Sequence, residues 1–434
     1  MKFGGTSIND ADQVRKVIDL VRDRMDDRPV VVVSAHSGVT NTLDALAKAA
    51  LDGPVSIEPV RERHADILAD LGLPADLLDD LLDELDSLLT GITLVKELTD
   101  RSLDYIHSFG EQLSSRAIAA AFRKAGLPAR ALLAWDLGLV TDSAFGAAHP
   151  RKESYSRIAR ALSTVTDLPI VTGYIAKDRD GNITTLGRSG SDFTAAIIGA
   201  AVGAEEIQIW TDVEGVMSAD PRIVPEATSI PQLSFHEASE LAYYGARVIH
   251  PSTMVPAVEK GIPLRVLSTL EPGHPGTVIL GVSEHGDSAV KSIAQKRGLT
   301  LINVVSTRML LQHGFMARLF DVFARHEVVV DMIATSEISV SITTDSRRDL
   351  TPCLKELSDF AEVEIERGLG IICLVGEGIR TVPGVTARIF TTLSEAGVTT
   401  RMISVGATKI NVSFLVDDAN VEKSVIALHE AFFC

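Results

Sequence analysis

The stretch Thr184-Thr185-Leu186-Gly187-Arg188-Ser189-Gly190-Ser191-Asp192-Phe193-Thr194 constrains this chain more than any other. A turn, Asp178 to Asn182, precedes it, and an apolar run of small residues from Thr194 to Ala204 follows, long enough for a buried helix. The stretch therefore predicts a polar loop feeding a helix N-terminus, where unpaired backbone N–H groups and the helix dipole favour negative charge. Gly187 and Gly190 let the main chain approach a ligand closely. Arg188 can fork onto a carboxylate or phosphate. Asp192 is an acceptor that can orient a lysine or a metal-bound water. Two readings stay open from these residues alone: a loop for an anionic small molecule, or an ordinary strand-to-helix turn capped by Ser191 with Arg188 in solvent.

The flanking chain has the grammar of a parallel α/β sheet. Val14, Val17, Ile18 and Val21 fall at helical spacing between Asn9 and Arg24, with Asn9 or Asp10 as cap. Pro29 opens Val30-Val31-Val32-Val33, a β-branched run suited to a strand buried on both faces. A glycine-containing loop, Ser34 to Asn41, and another helix follow, and such loops place ligands at the carboxyl ends of strands. No G-x-x-x-x-G-K-[ST] is present and no G-x-G-x-x-G follows a strand, which disfavours P-loop and dinucleotide folds. Residues 56 to 126 read as mostly helical, with Leu77, Leu81, Leu85 and Leu88 as one packing stripe. Phe109 to Ser115 opens a helix that runs to Lys124, with Glu111 in its first turn, where a carboxylate suits the dipole. Strands are expected at Leu168 to Tyr174, Glu206 to Thr211, Pro263 to Leu267 and Thr277 to Leu280, and a helix at about Ser234 to Tyr244.

Beyond Asp287 the texture changes to short strands and helices that repeat at an offset of 70 residues. Gly314, Ala317, Arg318, Phe320, Met332 and Ile333 return as Gly384, Ala387, Arg388, Phe390, Met402 and Ile403. Each copy reads as a ferredoxin-like βαββαβ unit. Composition narrows the partners. A net charge of −17, from 41 basic and 58 acidic residues, argues against nucleic acid. A few local cations can still hold an anionic substrate. Cys353, Cys373 and Cys434 show neither close pairing nor metal-ligand spacing, so no metal site is expected and a reducing compartment is. No apolar run reaches the roughly 18 residues of a membrane span. A cytoplasmic protein with no membrane partner is the expectation.

Several spaced motifs carry a resemblance across nearly the whole chain. They are Lys2-Phe3-Gly4-Gly5-Thr6-Ser7, Ser34 to Asn41, Gly110-Glu111, Thr185 to Asp192, Trp210 to Val213, Asp220-Pro221-Arg222 and His250-Pro251, together with the repeat. The chain resembles the aspartate kinases of the lysine-sensitive monofunctional type. The resemblance implies an α/β fold: an amino-acid-kinase-like, mostly parallel sheet sandwiched by helices, followed by two ferredoxin-like ACT domains. It implies a catalytic domain at 1–282, a linker at 283–287 and a regulatory region at 288–434. One ACT domain (about 306–365) would be inserted into the other (about 288–305 with 369–434).

The implied reaction is transfer of the γ-phosphoryl of ATP to the side-chain carboxylate of L-aspartate, with Mg²⁺ accompanying the nucleotide. By resemblance, Lys2 stabilises the transferred phosphoryl and Asp192 holds Lys2. Arg188 clamps a substrate carboxylate, Glu111 accepts from the substrate ammonium, and Thr40 and Ser191 complete that pocket. Gly4, Gly5, Thr211, Asp212, Met217, Arg222 and Arg247 line the nucleotide site. A carboxylate acceptor is ionised at neutral pH, so no general base is needed. Met217, Arg247 and Ser189 stand where relatives carry tyrosine, lysine and glycine, and the last change matters only if position 189 needs positive φ.

ACT pairs of this family bind an end-product amino acid, here lysine or threonine, and build a homodimer, with a tetramer as the alternative. Met309, Gly314, Phe315, Asp331, Thr335 and Ser336 match the effector loops, Gly314 starting a helix and Asp331 able to take an ammonium. Three alternatives remain. The ACT pair could serve dimerisation alone, the whole chain could be a catalytically weak amino-acid sensor, or it could be a kinase of the same fold acting on acetylglutamate, glutamate or UMP.

Overall fold

The computed structural model describes residues 1–244, 249–281, 289–309, 313–346, 348–406 and 410–434. Arg247 and the expected linker at 283–287 lie outside the described residues. The chain forms two compact units. The first comprises Met1–Val216, Pro231–Phe235 and Val248–Ser283, and the second Met217–Ile230, His236–Arg247 and Glu284–Cys434.

The strands of the first unit are β1 (Lys2–Phe3), β2 (Val31–Val33), β3 (Ala129–Leu132), β4 (Leu168–Thr172), β5 (Ile175–Lys177), β6 (Ile183–Thr185), β7 (Ile207–Thr211), β8 (Gln232–Ser234), β9 (Leu264–Ser268) and β10 (Thr277–Leu280). Helices α1 (Ala11–Arg22), α2 (Val39–Ala49), α3 (Glu58–Leu71), α4 (Asp79–Val95), α5 (Asp100–Lys124), α6 (Glu153–Leu162) and α7 (Gly190–Val202) alternate with them. Of the next two, α8 (Phe235–Tyr243) falls past its first residue in the second unit, and α9 (Pro251–Lys260) in the first.

Eight strands form one sheet in the order β3-β4-β2-β1-β7-β9-β10-β8, while β5 and β6 make a separate hairpin. Every pair in the large sheet is parallel except β9 with β10. The three valines of β2 are all buried, since both their faces are covered and both edges paired. Asp10 caps α1, its side chain accepting from the Gln13 N–H at 2.9 Å. Successive strands leave the centre in opposite directions on either side of β1, and such a switch point opens a crevice at the strands' carboxyl ends.

One expected element is corrected. The helix bearing Glu111 does not open at Phe109; it starts at Asp100, capped by the Thr99 side chain, and Glu111 lies mid-helix. Gly110 resembles a breaker in sequence, but α5 needs a glycine there. A Cβ at that position would sit 2.8 Å from the Ala35 Cβ. Glu111 therefore owes nothing to a helix terminus.

The second unit holds an antiparallel sheet in the order β12-β13-β11-β14-β16-β15. Its strands are β11 (Ser292–Val305), β12 (Ile333–Thr335), β13 (Ser339–Thr344), β14 (Glu362–Val375), β15 (Met402–Val405) and β16 (Asn411–Asp417). Its remaining helices are α10 (Phe315–Arg325), α11 (Thr351–Ser358), α12 (Val385–Glu395) and α13 (Val421–Phe433). The two long central strands pair along their length but shift register between Lys296 and Thr300, where Gly298 and Gly368 both take φ of 73°. One half of the pair extends through β13 and the other through β16, so two βαββαβ folds share their middle strands. Helices α10 and α12 keep the 70-residue spacing and each begins on a glycine at φ 85° (Gly314, Gly384). Separate apolar cores lie under them, one around Leu319, Phe323 and Leu357, the other around Ile389, Phe414 and Leu428.

Candidate active site

Lys2 lies on the central strand β1, in register with Val32 on one side and Ile209 on the other. Its ammonium reaches Asp192 Oδ1 at 2.7 Å, with the two side chains 11% and 10% exposed. That oxygen has no aligned hydrogen-bond partner, so the contact is an ion pair rather than a directed hydrogen bond. Asp192 is on the first turn of α7. The residue that caps this helix, Ser189, sits at φ 54°, the left-handed region that favours glycine. Arg188 precedes it, exposed, with no ion pair among the described residues. Ser191 packs against Gly173, where a Cβ would stand 2.5 Å from its own Cβ.

The segment after Lys2 is held equally closely. Gly4 N–H donates to the Trp210 carbonyl at 3.3 Å. A Cβ on Gly5 would lie 2.7 Å from the Ala35 carbonyl oxygen, so the first loop and the loop after β2 meet backbone to backbone. Ala35 N–H donates to Glu111 Oε1 at 3.1 Å, and the Ser114 hydroxyl to the Ser34 carbonyl at 2.7 Å. Gly38, at φ 84°, turns the chain into α2 and puts half-buried Thr40 in its first turn. Glu111 is 3% exposed and its Oε2 has no partner. Burial pushes its carboxyl up to about 8, opposed by the Ala35 N–H and by the charge of Lys2.

Helix α5 contributes a polar stripe that the sequence did not reveal. Asp104, one turn before His107 and two before Glu111, accepts from the N–H groups of Gly146 and Thr185 and from the Thr185 hydroxyl at 2.7 Å. It thereby fixes the end of β6 just ahead of Arg188. Burial raises its carboxyl above the ordinary range, against these hydrogen bonds. His107 stands between Asp44, 3.6 Å from Nε2, and the Tyr174 hydroxyl, 3.5 Å from Nδ1. Tyr174 itself takes φ 64°. Its N–H donates to the Thr194 hydroxyl, and its carbonyl accepts from Leu186 N–H at 2.9 Å. The loop carrying Arg188 is thus tied at both ends. A spacing of three and four residues was there to be read in Asp104, His107 and Glu111, but the misplaced helix start hid it.

Lys2, Gly4, Gly5, Thr40, Glu111, Ser191 and Asp192 therefore gather around the carboxyl ends of β1 and β2 and the start of α7. Thr211, at the end of β7, donates to Asp212 Oδ1 at 3.1 Å, and Asp212 is exposed. Met217 and Arg222 belong to the second unit. There the Met217 carbonyl accepts from Ser292, and Arg222 forks onto Asp220 at 2.9 and 2.6 Å. A cavity of about 1050 Å³ opens at the opposite, amino end of the parallel strands, lined by Met1, Val30, Pro169 and Gln208. It contains none of these groups. Among the described residues no three histidine, cysteine or acidic side chains converge as metal ligands.

In the second unit, Asp331 accepts from Lys296 at 2.8 Å and from the Tyr243 hydroxyl at 3.1 Å, while its Oδ2 is buried and bare. Phe315 is buried edge-on against Phe360. Gly314 caps α10, Met309 is half-buried, and Thr335 and Ser336 are exposed at the end of β12.

Residues 1–268 match the amino acid kinase family, and residues 302–357 and 372–432 the ACT domain. Together with the lysine–aspartate pair at the strand ends, these matches define a small-molecule kinase with a regulatory ACT pair. The chain is 39% identical to aspartokinase 1, chloroplastic, of Arabidopsis thaliana, covering all of this chain and 80% of that protein. It is 35% identical to lysine-sensitive aspartokinase 3 of Escherichia coli K12, covering 100% and 98%. E. coli aspartokinase III in complex with aspartate and ADP matches the fold with a TM-score of 0.84 at 32% identity, over 100% of this chain and 99% of that one. The same enzyme with lysine and aspartate matches at 0.79 and 33%, with the same coverage. The chain belongs to the aspartokinases, kinases that phosphorylate aspartate under allosteric control.

Proposed function

We propose that the γ-phosphoryl of ATP passes to the side-chain carboxylate of L-aspartate at the Lys2–Asp192 pair, giving 4-phospho-L-aspartate and ADP. One carboxylate oxygen forms the new P–O bond while the bond between the γ-phosphorus and the bridging oxygen breaks. Such a step depends on placement and charge neutralisation more than on covalent help. The observation that carries the reading is Lys2, a cation on the central strand with Asp192 as its sole ionic partner among the described residues. Its remaining N–H groups are free to meet phosphate. Arg188 takes a substrate carboxylate, Glu111 with its bare oxygen takes the ammonium, and Thr40 and Ser191 complete the pocket. Gly4, Gly5, Thr211 and Asp212 serve the nucleotide. Mg²⁺ brought with the nucleotide would offset phosphate charge, and Asp192 is the carboxylate at this site that would hold it.

The effector is an amino acid bound at the first ACT fold through Asp331 and the start of α10, and lysine is the leading candidate. Two copies associate through the ACT units. Ile333 on edge strand β12 and Ile403 and Val405 on edge strand β15 support this, being 40%, 46% and 52% exposed. Three free cysteines suit a reducing compartment, the cytoplasm. Hydroxylamine trapping of the acyl phosphate tests the reaction. Aspartyl hydroxamate should form with aspartate and MgATP and no hydroxamate with acetylglutamate or glutamate, while ADP release should not respond to UMP, whose phosphorylation gives no acyl phosphate. Turnover of one of those acceptors and not of aspartate would overturn the reading.

A further inference from the structure

Two histidines that the reaction above does not use lie inside the first unit. His36 is in the loop between β2 and α2, His64 is on α3, and each is 1% exposed. Their rings meet edge to face, with centroids 5.4 Å apart. His36 Nδ1 stands 2.6 Å from the Ile8 carbonyl oxygen, and His64 Nδ1 stands 2.7 Å from that of Val60. A carbonyl only accepts, so each Nδ1 carries the hydrogen and each Nε2 is a bare lone pair. Both Nε2 atoms are buried without a partner. A second proton on His36 is opposed by burial first, then by the neighbouring imidazole and the Arg63 guanidinium, which hold it near 3. His36 is therefore a neutral donor of fixed tautomer near neutral pH.

What it grips gives it a role. Ile8 ends the short 3-10 turn, Gly5–Ile8, that follows Lys2 and Gly4. Arg63 fastens the next residue, donating to the Asn9 carbonyl and side chain at 2.6 Å each. On the other side, Ala35 immediately precedes His36 and supplies the N–H that binds Glu111. Val39 N–H donates to the His36 carbonyl at 3.1 Å, one residue before Thr40. We infer that His36 is a positioning residue for phosphoryl transfer: its Nδ1–H bond to Ile8 locks the Lys2 segment in register with the loop that carries Thr40 and anchors Glu111. The inference rests on the proposed reaction with aspartate.

The test compares full-length wild type with His36→Asn, His36→Gln and His36→Leu, measuring kcat, aspartate KM and melting temperature. Asparagine can present an N–H close to the place of the imidazole Nδ1. Glutamine sets its amide one bond too far, and leucine fills space with no donor. A misplacement of about 1 Å costs about 100-fold in rate. The Gln and Leu variants should accordingly lose about 10- to 100-fold in kcat with aspartate KM within about threefold, and Asn should recover most of the loss. If the Leu variant does not fold, the Asn–Gln pair decides. Equal kcat in Asn and Gln variants, or a Leu variant that loses only melting temperature, overturns the role. A wild type that turns over another acceptor and not aspartate overturns the underlying reaction, and this role with it.

Discussion

Lys2 and Lys296 each direct an ammonium at a buried aspartate, at 2.7 and 2.8 Å. Lys2 has Asp192 alone among the described residues. Lys296 divides itself between Asp331 and Asp345, each at 2.8 Å, and lies 5.7 Å over the ring of Tyr243, whose hydroxyl also reaches Asp331. An ammonium has three donors. The first lysine is anchored but keeps donors for an anion, as a phosphoryl-transfer cation must. The second is nearly saturated by its own chain. A ligand ammonium at Asp331 must use the bare Oδ2 or displace a contact already made. On the proposed reading, similar residue pairs would serve two ends, set by how many partners each lysine already has.

The contrast can be broken most forcefully at Lys2. Lys2→Ala should lower kcat by about 1000-fold or more while calorimetric aspartate affinity changes little, because the lost interaction belongs to the transition state. A modest loss would make Lys2 a second structural ion pair. Glu111→Gln is expected to lower kcat/KM for aspartate by about 30-fold at high pH. In the wild type, burial holds Glu111 near 8, so kcat/KM for aspartate should climb as pH rises toward 8 and then level off. The Gln variant should show a flat profile. The folded value is raised, so the neutral form's contribution to stability is full below the ordinary 4.5 and is lost as pH rises through about 8. The Gln variant should gain melting temperature on the wild type above that pH.

Smaller effects sharpen the regulatory side. Asp331→Asn should weaken inhibition by the effector about tenfold with little change in the uninhibited rate, measured by titrating lysine into the kinase assay. Unchanged inhibition would place the effector elsewhere. Smallest is Ser189→Gly. Helices α2, α10 and α12 begin on glycines at φ near 85°, whereas α7 begins on a serine at 54°. Removing that strain should stabilise the first unit by about 0.5–1 kcal/mol, seen as a small rise in melting temperature.

Much of this was legible in the chain. The 70-residue repeat located both ACT helices, because a glycine at the helix start and buried positions behind it are local requirements that sequence records. The valine run gave β2 and the small-residue run gave α7 for the same reason. What stayed hidden has long-range causes. The polar stripe Asp104-His107-Glu111 points into the protein, so it breaks the apolar period that marks a buried helix face. The left-handed φ of Ser189 was signalled only by the glycine that relatives carry there, since serine itself does not mark it. Tyr243 meets Asp331 across 88 residues and groups α8 with the second unit, and no window of neighbouring residues contains that contact.

A crystal structure of the enzyme with aspartate and a non-transferable ATP analogue would show directly whether Lys2 meets the transferred phosphoryl. The Lys2 ammonium should lie about 3 Å from a terminal phosphate oxygen while Asp192 still holds it from behind, with an aspartate carboxylate facing the same phosphorus. A terminal phosphate bound out of reach of Lys2, with that lysine still closed on Asp192 alone, would contradict the account.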